Sequence, residues 1–300
     1  MGKQYFIKFG GGNNVFWKHI KAEKSVQEIP YSLYYSDNWT IACQGSYKNR
    51  QEITGKQIPQ IEAFLGLQTD DNLWLFYEEF AYCYRRKADS YYDNTDPTYI
   101  DGNIKPKSLN CSLHKKWFRH ELPEIFAQID CNQKYNSQTI KELENQEKEV
   151  AEYYSGIRAG KIVITETNFL DYMSPIQLET LVFLIALVSG HGCRGYRGGT
   201  QKDFDLTVLM QNSKALWFTH LLSESLLFQI KKKKQAYGFT GRHGEYLVYL
   251  GTTDIKQFWL GQDWILGQVK QSAPQGCIDV KKWVKELFFQ DVFDVSGLCL

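Results

Sequence analysis

Residues 131–161 divide this chain and limit what either side of it can become. The run NSQTIKELENQEKEVAEYYSGIRAGK (136–161) is charged, nearly free of large aliphatic residues and rich in helix formers. Such a run reads as a solvated linker helix over 131–160, ending near Gly156 or Gly160. Two domains follow, 1–130 and 161–300, and a chain of 300 residues has room for two modest cores.

The first half is patterned as strands. QYFIKF, VFWKHI, SLYY, WTIACQ and LWLFYEEFAYCY are short runs of β-branched and aromatic residues, separated by clusters such as GGGNN and TDD. ADSYYDNTDPTYIDGN (88–103) is polar and turn-rich and reads as a long surface loop. The second half alternates. Ser174 is placed to cap a helix that starts at Pro175 and runs through IQLETLVFLIALV. A Gly-rich turn follows at 189–199. DFDLTVLM (203–210), LLFQIKK (226–232) and EYLVYLG (245–251) then read as strands, and DWILGQVKQ and DVKKWVKELFFQ as closing helices. The expected fold class is α+β or α/β: an N-terminal β-rich domain, for which a small barrel that reads a base is one hypothesis, and a C-terminal α/β layer.

Composition excludes several classes. The formal charge is +1, and neither half is strongly charged, so any polyanion site must be local. Seven cysteines, an odd number with no CxxC pair, argue against a disulfide framework and a structural zinc site. They read as reduced thiols of a cytoplasmic protein. The longest apolar stretch, LVFLIALV (181–188), falls far short of the ~20 residues a spanning helix needs, so no membrane partner is expected. His191, His220 and His243 lack ligand spacing and read as structural or surface residues. No GxSxG or Cys–His signature supports nucleophilic hydrolysis.

One stretch carries chemistry. LLFQIKKKKQ (226–235) ends a buried-looking strand with an amide and four lysines. Gln229 and Lys231 stand at i and i+2, on one strand face about 7 Å apart. Asp205 lies in the preceding strand. If the two strands pair, Asp205, Gln229 and Lys231 converge. Oxygen donors from Asp205, Gln229 and the Ile230 carbonyl suit Mg²⁺, with Glu179 of the preceding helix as a further acid. Glu179 reads equally well as an ordinary first-turn acid favoured by the helix dipole.

On these residues the segment 172–235 resembles the nuclease domain of Mrr-type restriction endonucleases, a branch of the PD-(D/E)xK nucleases. The resemblance rests on Glu179, the turn Gly198-Gly199, Asp205 and Gln229-Ile230-Lys231. Leu178 stands where the family usually has phenylalanine, and NSKALWFTHLLSES lengthens the Asp-to-Gln interval. The resemblance implies an endonuclease that hydrolyses DNA with Mg²⁺, in restriction or defence, with Asp205, Gln229, Lys231 and Glu179 catalytic. Its metal ligands would be Asp205, Gln229, Ile230 and Glu179. Lys232, Lys233, Lys234 and Arg242 would grip the phosphate backbone. The expected partner is double-stranded DNA, with a homodimer supplying two active sites. In the first half, aromatic strands beside Arg85 and Arg86 suit a reader of an unstacked or modified base, although a buried core with a basic rim fits the same residues. The alternatives are a DNA-binding protein that keeps the nuclease fold without cleavage, and a nuclease for RNA or single strands.

Overall fold

The structure is a computed structural model that describes residues 2–8, 28–33, 62–64, 66–86, 92–93, 107–131, 135, 140–196, 205–209, 225–231, 245–249 and 259–300. The chain forms two compact units, Met1–Lys161 and Ile162–Leu300.

The first unit is built on a seven-stranded sheet. Its strands are β1 (Gln4–Ile7), β2 (Glu28–Leu33), β3 (Asn72–Tyr77), β4 (Phe80–Arg86), β5 (Tyr92–Asp93), β6 (Lys107–Phe118) and β7 (Ile140–Glu142). They run in the order β2-β6-β4-β3-β1-β7, with β5 also on β6. Among the described residues β1 and β3 pair in parallel, and the other pairs are antiparallel. Among the described residues this order runs from β2 to β7, and those two strands do not pair with each other. The expected surface loop at 88–103 contributes Tyr92 and Asp93 to the sheet.

The continuous apolar run of β3 marks a strand covered on both faces. Asn72, Trp74 and Phe76 share one face and Leu73 and Leu75 the other, and none of them is more than 1% exposed. The Trp74 face carries an aromatic core. Trp117 stacks on Trp74 at 5.2 Å, and Phe126, from the short helix α1 (Glu124–Ala127), meets Trp74 edge-on at 4.9 Å and Phe76 at 5.3 Å. These spacings lie in the favourable range for aromatic pairs. The Trp74 indole N–H donates to Gln4 Oε1 at 2.8 Å, which pairs the one polar atom of that ring inside the core.

The segment expected to be a linker belongs to this unit. β7 pairs with β1, and helix α2 (Asn145–Tyr154) follows it. The few aliphatic residues of 131–160 are spent inward: Ile140, Leu143, Val150 and Ala151 are all buried, as is Tyr135. Charge on the remaining positions hid that stripe in the sequence. α2 ends where expected, at Gly156 with φ +78°, a conformation that glycine adopts without strain. Its last-turn carbonyl, Ser155 O, accepts from Arg85 Nη2 at 2.9 Å and from His114 Nε2 at 3.3 Å. Both donors suit the negative end of the helix dipole.

The second unit has a five-stranded mixed sheet, β13-β12-β11-β10-β9. Its elements are β8 (Ile162–Val163), α3 (Pro175–Val188), β9 (Gly192–Tyr196), β10 (Leu206–Leu209), β11 (Ser225–Lys231), β12 (Glu245–Tyr249), β13 (Trp259–Leu260), α4 (Gln262–Gln271), α5 (Val280–Leu287) and β14 (Phe293–Asp294). β9, β10 and β11 are antiparallel neighbours, whereas β11, β12 and β13 are parallel. The Gly-rich stretch expected as a turn is partly strand β9. α3 packs on β9, β10 and β11 and against α4 and α5. A separate parallel pair, β8 with β14, joins the start of the unit to its end. The capping expectation for α3 holds: Ser174 Oγ accepts from Gln177 N–H at 3.1 Å and Ser174 N–H donates to Gln177 Oε1 at 2.8 Å.

Two outcomes follow for the first unit. Phe126→Ala removes the ring between Trp74 and Phe76 and lowers stability by about 3–5 kcal/mol in urea denaturation. Burial and the nearby Arg85 cation lower the His114 pKa, with the Ser155 carbonyl opposing them in part. The unfolded chain therefore binds the His114 proton more readily, and stability falls as pH drops below about 6.5. Denaturation at pH 7.5 and pH 5.5 should show a smaller acid loss for His114→Gln than for the wild type.

Candidate active site

The two strands expected to carry the site do pair. β10 and β11 are antiparallel with Leu206 opposite Phe228, which sets Asp205 opposite Gln229 one step beyond the end of β10. Asp205 is locked to β11 twice. Its N–H donates to Phe228 O at 2.9 Å, and its Oδ2 accepts from Ile230 N–H at 2.6 Å. A carboxylate accepting a backbone N–H in a buried setting makes a short, charge-assisted bond. Asp205 is 2% exposed and Gln229 is 1% exposed. Lys231 is the last residue of β11, two positions after Gln229.

Period-two alternation separates this group from the core. Leu206, Val208, Leu226, Phe228 and Ile230 share one face and are all buried. Asp205 and Gln229 fall on the other face, with Thr207 and Leu227 half-buried beside them. The polar pair thus sits where the apolar pattern is interrupted, at the end of both strands.

Glu179 lies in α3 and is buried at 4% exposure. It lies beyond the first turn, which holds no acid, so the first-turn dipole role is excluded. Burial of a carboxylate is costly unless it is hydrogen-bonded, paired or coordinated to a metal. Among the described residues no group of three or more His, Cys, Asp and Glu side chains is arranged to hold a metal ion. The expected donor set differs in kind: two carboxylates, one amide oxygen and the Ile230 carbonyl. These are all hard oxygen donors, the chemistry that Mg²⁺ requires, and both carboxylates are already withdrawn from water.

Other expectations sort differently. Arg86 is not a surface grip for DNA: it is 5% exposed, and its guanidinium donates to Leu67 O inside the first unit. Arg85 is half-buried and held by Asn72 Oδ1 at 3.0 Å and by Ser155 O. The strand pattern around them drew both inward. Lys232, Lys233, Lys234, Arg242, Gly198, Gly199, His220 and His243 lie outside the described residues. His191 is buried at the entry to β9, where its N–H donates to Ala186 O at 3.0 Å. Burial pushes the Cys193 thiol up to about 11 and raises Cys83 and Cys111 further, so these sulfurs stay protonated and are poor nucleophiles at neutral pH. Sequence reading missed an exposed ring-and-lysine row around Phe118. Its signal was HKKWFRH (114–120), in which cations and aromatic rings interleave.

No protein-family model matches the chain, and no curated protein and no solved structure shows significant similarity to it.

The interior role of Arg86 predicts that Arg86→Met strands the Leu67 carbonyl and lowers stability by about 1–3 kcal/mol. Chemical denaturation measures the loss, and the DNA affinity of the folded variant should equal that of the wild type.

Proposed function

We propose that this protein is a Mg²⁺-dependent endonuclease that hydrolyses phosphodiester bonds of double-stranded DNA, with its chemistry in the second unit and DNA recognition in the first. The observation that carries the reading is the Asp205 carboxylate, fastened to the Ile230 amide, opposite Gln229 and beside the strand end that carries Lys231. An acid, an amide and a lysine at one strand end are the groups that the resemblance assigned to cleavage.

Each residue has a role. Asp205, Gln229, the Ile230 carbonyl and Glu179 would hold the ion. When bound, Mg²⁺ polarises the phosphate and acidifies a water. Gln229 contributes an oxygen without a charge, so the two carboxylates carry the electrostatic part of the binding. Lys231 orients the attacking water and offsets the negative charge that develops on the phosphate. The Asp205–Ile230 bond fixes the carboxylate before substrate arrives, and such preorganisation lowers the cost of reaching the transition state. Lys232, Lys233, Lys234 and Arg242 are assigned to the DNA backbone, and a homodimer would place one active site on each strand. A role in restriction or defence fits an enzyme that joins a reader to a cutter. Among the described residues no helix is long and apolar enough to cross a membrane.

The test is cleavage of plasmid DNA in Mg²⁺, on matched methylated and unmethylated plasmids. The wild type should nick or linearise plasmid. Lys231→Ala and Asp205→Asn should each lose about 10²–10³-fold in rate. Asn keeps an acceptor for the Ile230 N–H, so Asp205→Asn should retain the wild-type far-UV circular dichroism. A folded wild type that cuts neither plasmid, with Mn²⁺ also tried, would sink the nuclease reading and leave the DNA-binding alternative.

A further inference from the structure

Strands β4 and β6 pair with Phe80 opposite Phe118 and Tyr82 opposite Lys116. Alternation puts these four residues on one face, turned away from the Trp74–Phe126 core. Deeper in the sheet that face is closed, with Tyr82 at 3% and Tyr84 at 0% exposure. At the hairpin end it is open: Phe118 is 41% exposed, and Lys116 and His120 are exposed. The rings form a row. Phe80 and Phe118 lie 4.7 Å apart at 37°, and His120 stacks on Phe118 at 5.3 Å and 26°. Lys116 Nζ sits 3.5 Å from the Phe80 ring centre and 5.3 Å from that of Tyr82.

We propose that this row is a stacking platform for unpaired nucleobases of single-stranded DNA, an inference that rests on the reading of the chain as a DNA-acting protein. Ring faces with cations beside them match bases joined by phosphates. A cationic ligand is a poorer match, because Lys116 already covers the Phe80 face. An apolar protein partner is a poorer match too, since lysine is depleted at the cores of such interfaces. Duplex DNA keeps its base faces stacked and cannot offer them to Phe118. The local charge is mixed. Glu78 and Glu79 form the turn between β3 and β4; Glu121 accepts the Phe118 N–H at 2.9 Å, and Arg119 is turned onto Asp130 through two bonds of 2.8 Å. Stacking therefore carries most of the affinity, and salt dependence is shallow.

The experiment is fluorescence anisotropy of a labelled oligo-dT with the whole chain in EDTA, competed by a duplex of equal length. Phe118→Ala and Phe118→Leu should each weaken binding about tenfold, since one base stack is lost. Phe118→Trp should bind at least as well as the wild type. Lys116→Ala should flatten the slope of log K against log salt by about 0.7. Equal oligo-dT binding by the wild type and Phe118→Leu would overturn the platform, whereas the duplex affinity assigned to the second unit should be the same in both proteins. The assay contains no metal, so failed plasmid cleavage with intact Phe118-dependent binding removes the nuclease reading alone. Cleavage by a Phe118→Leu protein that binds oligo-dT as the wild type does removes the platform alone.

Discussion

The bond from Ile230 N–H to the Asp205 carboxylate organises the polar end of the second unit. At 2.6 Å it joins two strands past the point where their regular ladder stops. Without an acceptor there, the Ile230 amide would be a buried donor at a strand end, and a buried donor without a partner is costly. With it, Asp205 and Gln229 are held opposite one another on the face that the aliphatic residues leave free. One bond thus satisfies an amide, pins a carboxylate and sets the register of the candidate site.

The first unit solves its polar problem in the opposite sense. It draws long cations inward and uses them as struts. Arg86 meets the Leu67 carbonyl, and Arg85 ties Asn72 to the end of α2. Asp71 works similarly near the N-terminus, accepting from Lys3 N–H at 2.7 Å and Gln68 N–H at 2.8 Å to fasten β1 beside β3. Among the described residues, Lys116 lies against the Phe80 and Tyr82 rings, whereas Lys3, Lys148 and Arg158 pair with carboxylates.

Legibility in the sequence followed the strength of local patterns. The β3–β4 hairpin, the cap of α3 and the strand ending in Gln229 and Lys231 were visible because each is written in a few adjacent residues. β6 was not. Its KSLNCSLHKKWF carries polar residues on both faces, yet it is a central strand whose partners come from distant segments. β9 was hidden by glycines that read as a turn, and it pairs only because β10 lies alongside. The stripe inside the expected linker was hidden for a similar reason: Ile140, Leu143 and Val150 are too few to announce it, but correctly phased to be buried. At the candidate site, the expectation of Asp205 and Gln229 came from their spacing together with the family resemblance. The clamp through the backbone of Ile230 could not be expected, because a main-chain donor leaves no mark on the side-chain sequence.

The parallel pairing of β8 with β14 sets Ile162 beside Phe293, so the second unit is entered and left along one edge. Phe293 also meets Tyr172 and Phe288 ring to ring, at 5.7 and 5.3 Å, which seals that edge from the inside. A module whose two ends lie together makes few demands on what precedes it. It could be excised, permuted or grafted into a loop of another protein with little strain on the host backbone. Evolution, for the same reason, could exchange the unit ahead of it while leaving the Asp205 clamp untouched.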